Sequence, residues 1–250
     1  MQETKTLEML DAAEHGDTKR LAELLDGSPD LANTSGEYNK TPLHWAAEKN
    51  LPEIARMLIA AGADIEQVTT WGSTPLEWAA VMGSAAVADI LLEHGASGMN
   101  LVIAAGLGRL SDVHRFCEQH ESVDGLGIPK RANDVNDAKG WPPDTAHMKG
   151  DVLGEAFQLA CRNGHVEVAD YLLGRGAEVD AKGYFGGTGL HWAAINGHRQ
   201  TVEFLLDRGA DLTLKDHGFK STPASWAVEG GHDEIAILIK SREGGIEIER

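Results

Sequence analysis

Two histidines occupy matching places in two near-identical heptapeptides, His44 in TPLHWAA (41–47) and His191 in TGLHWAA (188–194), and histidine is the side chain best suited to moving protons near neutral pH. Carboxylates accompany them along the same face. Glu48 follows His44 by one helical turn, and Glu77 takes the histidine's place in a third such heptapeptide, TPLEWAA (74–80), while Arg162 adds a cation at a comparable register. His44, Glu48, Glu77, Arg162 and His191 therefore form the candidate acid/base set. Its natural chemistry is that of a lyase or cyclase: a hydrophobic substrate held in place while protons move through elimination, addition or cyclisation. No spacing of Cys, His and carboxylates matches a zinc or iron site, so no metal is expected. Gly106-Leu107-Gly108 and Gly125-Leu126-Gly127 lack the remaining glycines of a phosphate-binding fingerprint, and no nucleophile elbow or catalytic cysteine motif occurs. No cofactor is expected either.

The elements that carry these residues recur along the chain. Pairs of small residues begin at Ala12, Ala46, Ala79, Ala104, Ala160, Ala193 and Ala227, separated by 34, 33, 25, 56, 33 and 34 residues, and each is followed by a glycine or asparagine. A period near 33 marks a tandem repeat whose units bury their core against neighbours. Threonine before proline suits a helix N-cap and first turn, the Ala pair permits close packing, and Gly or Asn suits the left-handed residue that ends the helix. A second helix follows each time, with apolar positions such as Ile54, Met57 and Leu58 or Val202, Leu205 and Leu206 at helical spacing.

With TPLHWAA, NGH and LLDRGAD in order and in register, the sequence resembles the ankyrin repeat family. The resemblance implies an all-α, ankyrin-repeat solenoid of about seven helix-turn-helix units, near 3–35, 36–68, 69–97, 98–122, 151–182, 183–216 and 217–250, in a single domain spanning 1–250. Two departures stand out. The finger between Gly95 and Ala104 is truncated, and residues 123–150, with Pro129, Trp141, Pro142, Pro143 and His147, form a long insertion that reads as an ordered loop or lid. The family binds with the concave face made by its hairpin tips and first helices, and it commonly uses the TPLH histidine to brace neighbouring loops. That role is the alternative to catalysis for His44 and His191. Equivalent positions in adjacent units lie roughly 10 Å apart, so His44 and Glu77 would contact one bound molecule rather than each other.

Register places Trp45, Trp78, Val81, Met82, Leu107, Trp192, Ile195 and Trp226 on the exposed side of the first helices. Tyr38, Trp71, Phe185 and Phe219 stand three residues before each helix-opening threonine, with Tyr184 beside Phe185. Nine of the fourteen aromatic residues fall in these two rows, and Trp141 lies in the insertion. So many rings on one surface suit an apolar small molecule or a peptide with bulky anchors. Burial between finger and helix is the competing account of the tryptophans.

Composition narrows the partners. With 22 basic against 39 acidic residues and a net charge of −17, no electrostatic footprint for nucleic acid or an anionic membrane is expected. Cys117 and Cys161 sit in helical apolar patterns, as two buried thiols of a reducing compartment would, and neither a secretory leader nor a membrane span is evident. A cytoplasmic protein is expected. Three functions remain open: recognition of an apolar ligand or segment in an aromatic groove, cofactor-independent catalysis in that groove, and a protein-interaction scaffold.

Overall fold

Threonine opens the best-formed first helices because its side chain does the capping. Thr41 accepts from the His44 backbone N–H and Thr74 from that of Glu77, while the imidazole and carboxylate of the same two residues reach back to the threonine N–H groups. Proline at the next position gives up only an N–H that had no intrahelical partner. The helices end in left-handed residues, Gly83 at φ +70 and Gly197 at φ +77, with Asn50 doing the same at φ +51.

The structure is a computed structural model that describes residues 2–119, 152–183 and 186–243. These form fourteen helices in seven pairs and no strand: α1 (Gln2–His15) and α2 (Thr18–Gly27), α3 (Pro42–Glu48) and α4 (Pro52–Ala60), α5 (Pro75–Met82) and α6 (Ala85–Glu93), α7 (Leu101–Gly106) and α8 (Leu110–Gln119), α9 (Val152–Arg162) and α10 (Val166–Gly174), α11 (Gly189–Ile195) and α12 (Arg199–Asp207), and α13 (Pro223–Glu229) and α14 (Asp233–Glu243). The expected all-α architecture of helix pairs is what is found. The 123–150 insertion lies outside the described residues, as do Trp141, Tyr184 and Phe185.

The chain divides into two compact units between Met99 and Asn100, at the truncated finger. In the first, α1, α3 and α5 pack side by side as one layer and α2, α4 and α6 as another. In the second, α7, α9, α11 and α13 form the first layer, with α10, α12 and the rest of the second helices behind it. Ala46, Ala47, Ala79, Ala193 and Ala194 are fully buried where first helices meet, and Leu43, Leu76 and Leu190 are buried completely one turn earlier. Each such leucine contributes about 2 kcal/mol of burial. Packing at this closeness needs side chains no larger than alanine.

Candidate functional site

In the first unit the finger before α3 turns through two consecutive left-handed residues, Tyr38 at φ 58 and Asn39 at φ 56. A non-glycine residue adopts that conformation at a cost and persists in it only when neighbours hold it. The next finger does so: Thr70 N–H donates to the Tyr38 carbonyl over 2.8 Å, and the Asn39 amide donates to the Val68 carbonyl over 2.7 Å. The result is an ordered row of rings. Tyr38 stacks on Trp71 with centroids 4.6 Å apart and planes 24° apart, and Trp71 stacks on Trp78 at 5.8 Å and 21°. Tyr38 remains 44% exposed, so the stack runs from the finger tip in solvent down to the first helix of the third repeat.

Behind the stack lies a buried cation. The Lys40 ammonium sits 3.1 Å from the Trp45 ring centroid and 5.2 Å from that of Trp78, and it is hydrogen-bonded to the Glu48 carboxylate. Glu48 also accepts from the Trp78 indole N–H at 3.1 Å and pairs with Lys49 at 3.5 Å. Burial pulls the Lys40 ammonium below its ordinary value against the opposing pull of Glu48. Burial pushes the Glu48 carboxyl up, but Lys40, the indole N–H and Lys49 together outweigh it and hold the group below the usual carboxylate range. Glu48 is thereby an ionised anchor tying α3 to Trp78 of α5.

Both nitrogens of His44 are occupied. Its Nδ1 accepts from the Thr41 N–H at 3.3 Å and lies 2.8 Å from the Thr41 hydroxyl, so Nε2 carries the proton and donates to the Ser73 carbonyl at 3.1 Å. Burial lowers its pKa to about 4. His191 repeats the arrangement, with Nδ1 3.1 Å from the Thr188 N–H, Nε2 donating to the Ser221 carbonyl at 3.1 Å, and a pKa likewise lowered by burial. Glu77, in the histidine's place, spends a carboxylate oxygen on the Thr74 N–H at 2.9 Å.

The second unit builds a different aromatic cluster from the same register. The Arg162 guanidinium lies 4.3 Å from the Trp192 ring centroid, and Trp192 meets Trp226 edge to face at 4.9 Å and 88°. Trp226 is only 6% exposed, and its indole N–H donates to Asp216 at 3.0 Å. Burial works against the Asp216 carboxylate, yet N–H groups of Phe219, Ser221 and Trp226 keep it below the usual range. Asp216 thus closes the finger that ends in Phe219, whose ring is 75% exposed.

A family model of ankyrin repeats matches residues 9–103, 101–216 and 157–250, which together take in nearly the whole chain. The chain belongs to the ankyrin repeat family. Among solved structures, the crystal structure of the human ASB11 ankyrin repeat domain is similar at 23% identity, over 92% of this chain and 96% of that chain, with a TM-score of 0.46. Ankyrin repeats are protein-interaction scaffolds, and no helix among the described residues is long and apolar enough to cross a membrane.

Within this ankyrin array the expected ligand residues sort by environment. Tyr38, Trp71 and Trp78 come together as one stack, Trp45 joins them through Lys40, and Met82 on the same helix as Trp78 is 39% exposed with Val81 half-buried beside it. Trp192 and Ile195 are half-buried on α11. Leu107 and Trp226, expected on the ligand face, are instead withdrawn, Leu107 to 5% exposure and Trp226 to its bond with Asp216. Lys40 and Asp216 are the two residues that the spacing argument passed over. The signal for Lys40 was a lysine immediately before a helix-capping threonine and five residues before a tryptophan.

Proposed function

We propose that this ankyrin protein is a recognition module whose first unit binds a peptide segment of a partner across the Tyr38, Trp71 and Trp78 rings. The observation that carries this reading is the stack itself: three near-parallel aromatic planes leading from an exposed finger tip to a first helix, held by finger-to-finger hydrogen bonds rather than by burial in a core. An ordered stack binds a flat or apolar side chain on the outer face of Tyr38 and along the ring edges with little loss of conformational entropy. An open surface of this form suits an extended segment better than a small molecule, which gains most from enclosure. Nothing favours the catalytic reading, since His44, His191, Glu48 and Glu77 are each committed to internal bonds. Cys117 and Cys161 are both buried free thiols, which supports a reducing compartment such as the cytosol.

The test is a peptide array probed with the wild-type chain and with Trp71→Ala. Bound sequences should be rich in aromatic and bulky apolar residues, and they should lose signal with the variant while its circular dichroism stays unchanged. An array in which the variant binds the same sequences equally well would remove this surface from recognition.

A further inference from the structure

We propose that the segment recognised by the first unit is basic, an arginine or lysine head lying against the outer face of Tyr38, the exposed end of the stack that Trp71 and Trp78 back. This rests on the recognition reading above and adds the partner's chemistry. The first unit, through Met99, holds six Lys and Arg against sixteen Asp and Glu, a net charge of −10, the larger part of the chain's −17. A field of that sign draws a cationic segment in and holds an acidic one off.

The same contrast holds locally. Fingers and first helices of the second and third repeats carry Glu37, Glu48, Asp64, Glu66 and Glu77 against Lys40 and Lys49. Both lysines are engaged by Glu48, and Lys40 is buried, so neither offers an unopposed positive charge to an incoming carboxylate. Glu37 is exposed and adjoins Tyr38 at the head of the stack.

The chain also supplies its own example of how these rings hold a cation. The Lys40 ammonium rests over Trp45 and Trp78 against a carboxylate at one end of the stack, and a partner's cationic side chain would find a ring face at the other end, on Tyr38 with Glu37 alongside. Aromatic faces attract cations, and guanidinium groups stack flat on them. Acidic surroundings and an ordered, exposed aromatic face therefore select the same side chains.

Three synthetic peptides of one length, sharing phenylalanine anchors and differing only in carrying arginine, glutamine or glutamate between them, decide the matter. Binding is read by titration calorimetry with the full chain at about 50 and about 200 mM salt. The arginine peptide should bind about tenfold tighter than the glutamine peptide at low salt, lose most of that advantage at high salt, and exceed the glutamate peptide further still. Trp71→Ala should reduce the preference for arginine; Trp71→Leu, which keeps apolar volume, serves if the alanine variant loses helix content. Equal binding of all three, or tighter binding of the glutamate peptide, overturns the basic partner and leaves recognition standing. No binding by any of them removes both. An arginine preference unchanged by either Trp71 variant also overturns the proposal, because it assigns the attraction to the acidic surface at large.

Discussion

His44 and Ser73, 29 residues apart, are joined by an imidazole N–H that donates to a backbone carbonyl over 3.1 Å, so the cap of one helix is bonded to the finger that leads into the next. The neutral ring is essential to this geometry, because Nδ1 must keep accepting from Thr41 while Nε2 donates. Burial holds the folded pKa at about 4 against an ordinary value near 6.5. The unfolded chain therefore binds a proton that the folded chain refuses between those values, and the stability contributed by the neutral ring is lost as pH falls from 6.5 towards 4. The contribution of this one residue is about 3 kcal/mol over that window. Urea midpoints at pH 7 and pH 5 check it. The wild-type midpoint should drop on acidification, and His44→Gln, lower at both pH values, should show a smaller drop; an unchanged pH slope would deny His44 that role.

Glu77 does the capping work of a histidine with a carboxylate, and its bond to the Thr74 N–H at 2.9 Å is matched by the Thr74 hydroxyl accepting from the Glu77 N–H at 3.2 Å. Thr74→Ala removes one half of this reciprocal pair and should cost about 1 kcal/mol. Glu77→Ala removes the other and should cost a similar amount, while the double variant should cost less than the sum because each half orients its partner. Chemical denaturation of the three variants gives the comparison directly, and strict additivity would mean that the two bonds form independently.

How far the sequence could be read is visible in two tryptophans. Trp45 and Trp226 hold the same register position, and that register assigned both to the exposed side of their first helices. It could not tell their exposures apart, because burial is set by the neighbour rather than by the helix that carries the ring. Trp226 finds Asp216 in its own finger to accept the indole N–H, whereas Trp45 is covered on one face by the Lys40 ammonium. Helix starts, small-residue contacts and left-handed turns were legible because each depends on residues within one turn of chain: Thr41 with His44, or Ala46 with Asn50. The stack of Tyr38 on Trp71 depends on the 32 intervening residues placing two fingers side by side, and spacing alone gave its members without its geometry.

That difference makes a prediction about the two aromatic sites. Trp226→Phe keeps most of the buried volume but takes a donor from Asp216, which should cost about 1–3 kcal/mol, and Trp226→Ala should cost about 3–5 kcal/mol by leaving a cavity. Trp71→Ala, half-buried at a finger, should cost about 1 kcal/mol or less. Thermal unfolding of the three variants separates a core ring from a surface one, and a larger loss from Trp71→Ala than from Trp226→Phe would invert the assignment.

The left-handed glycines that end helices offer a sharper test, because two of the same backbone class, Gly62 after α4 and Gly164 between α9 and α10, differ in what surrounds them. Gly62 has φ +88 and a Cβ built there meets nothing within 4 Å, while Gly164 has φ +81 and a Cβ there comes 2.8 Å from the His198 ring. Gly62→Ala should therefore cost only the left-handed backbone penalty, about 1–2 kcal/mol. Gly164→Ala carries the same penalty and must also displace His198, whose ring is packed between turns of successive repeats, so its cost should be clearly larger. Truncating the ring with His198→Ala makes room for the added methyl, and in that background Gly164→Ala should fall back towards the cost seen at Gly62. A cycle of the four chains measured by denaturant unfolding isolates the clash as a coupling energy. A coupling near zero would mean that the turn moves aside without resistance, and the stacking of histidine on glycine would then contribute nothing to holding the second unit together.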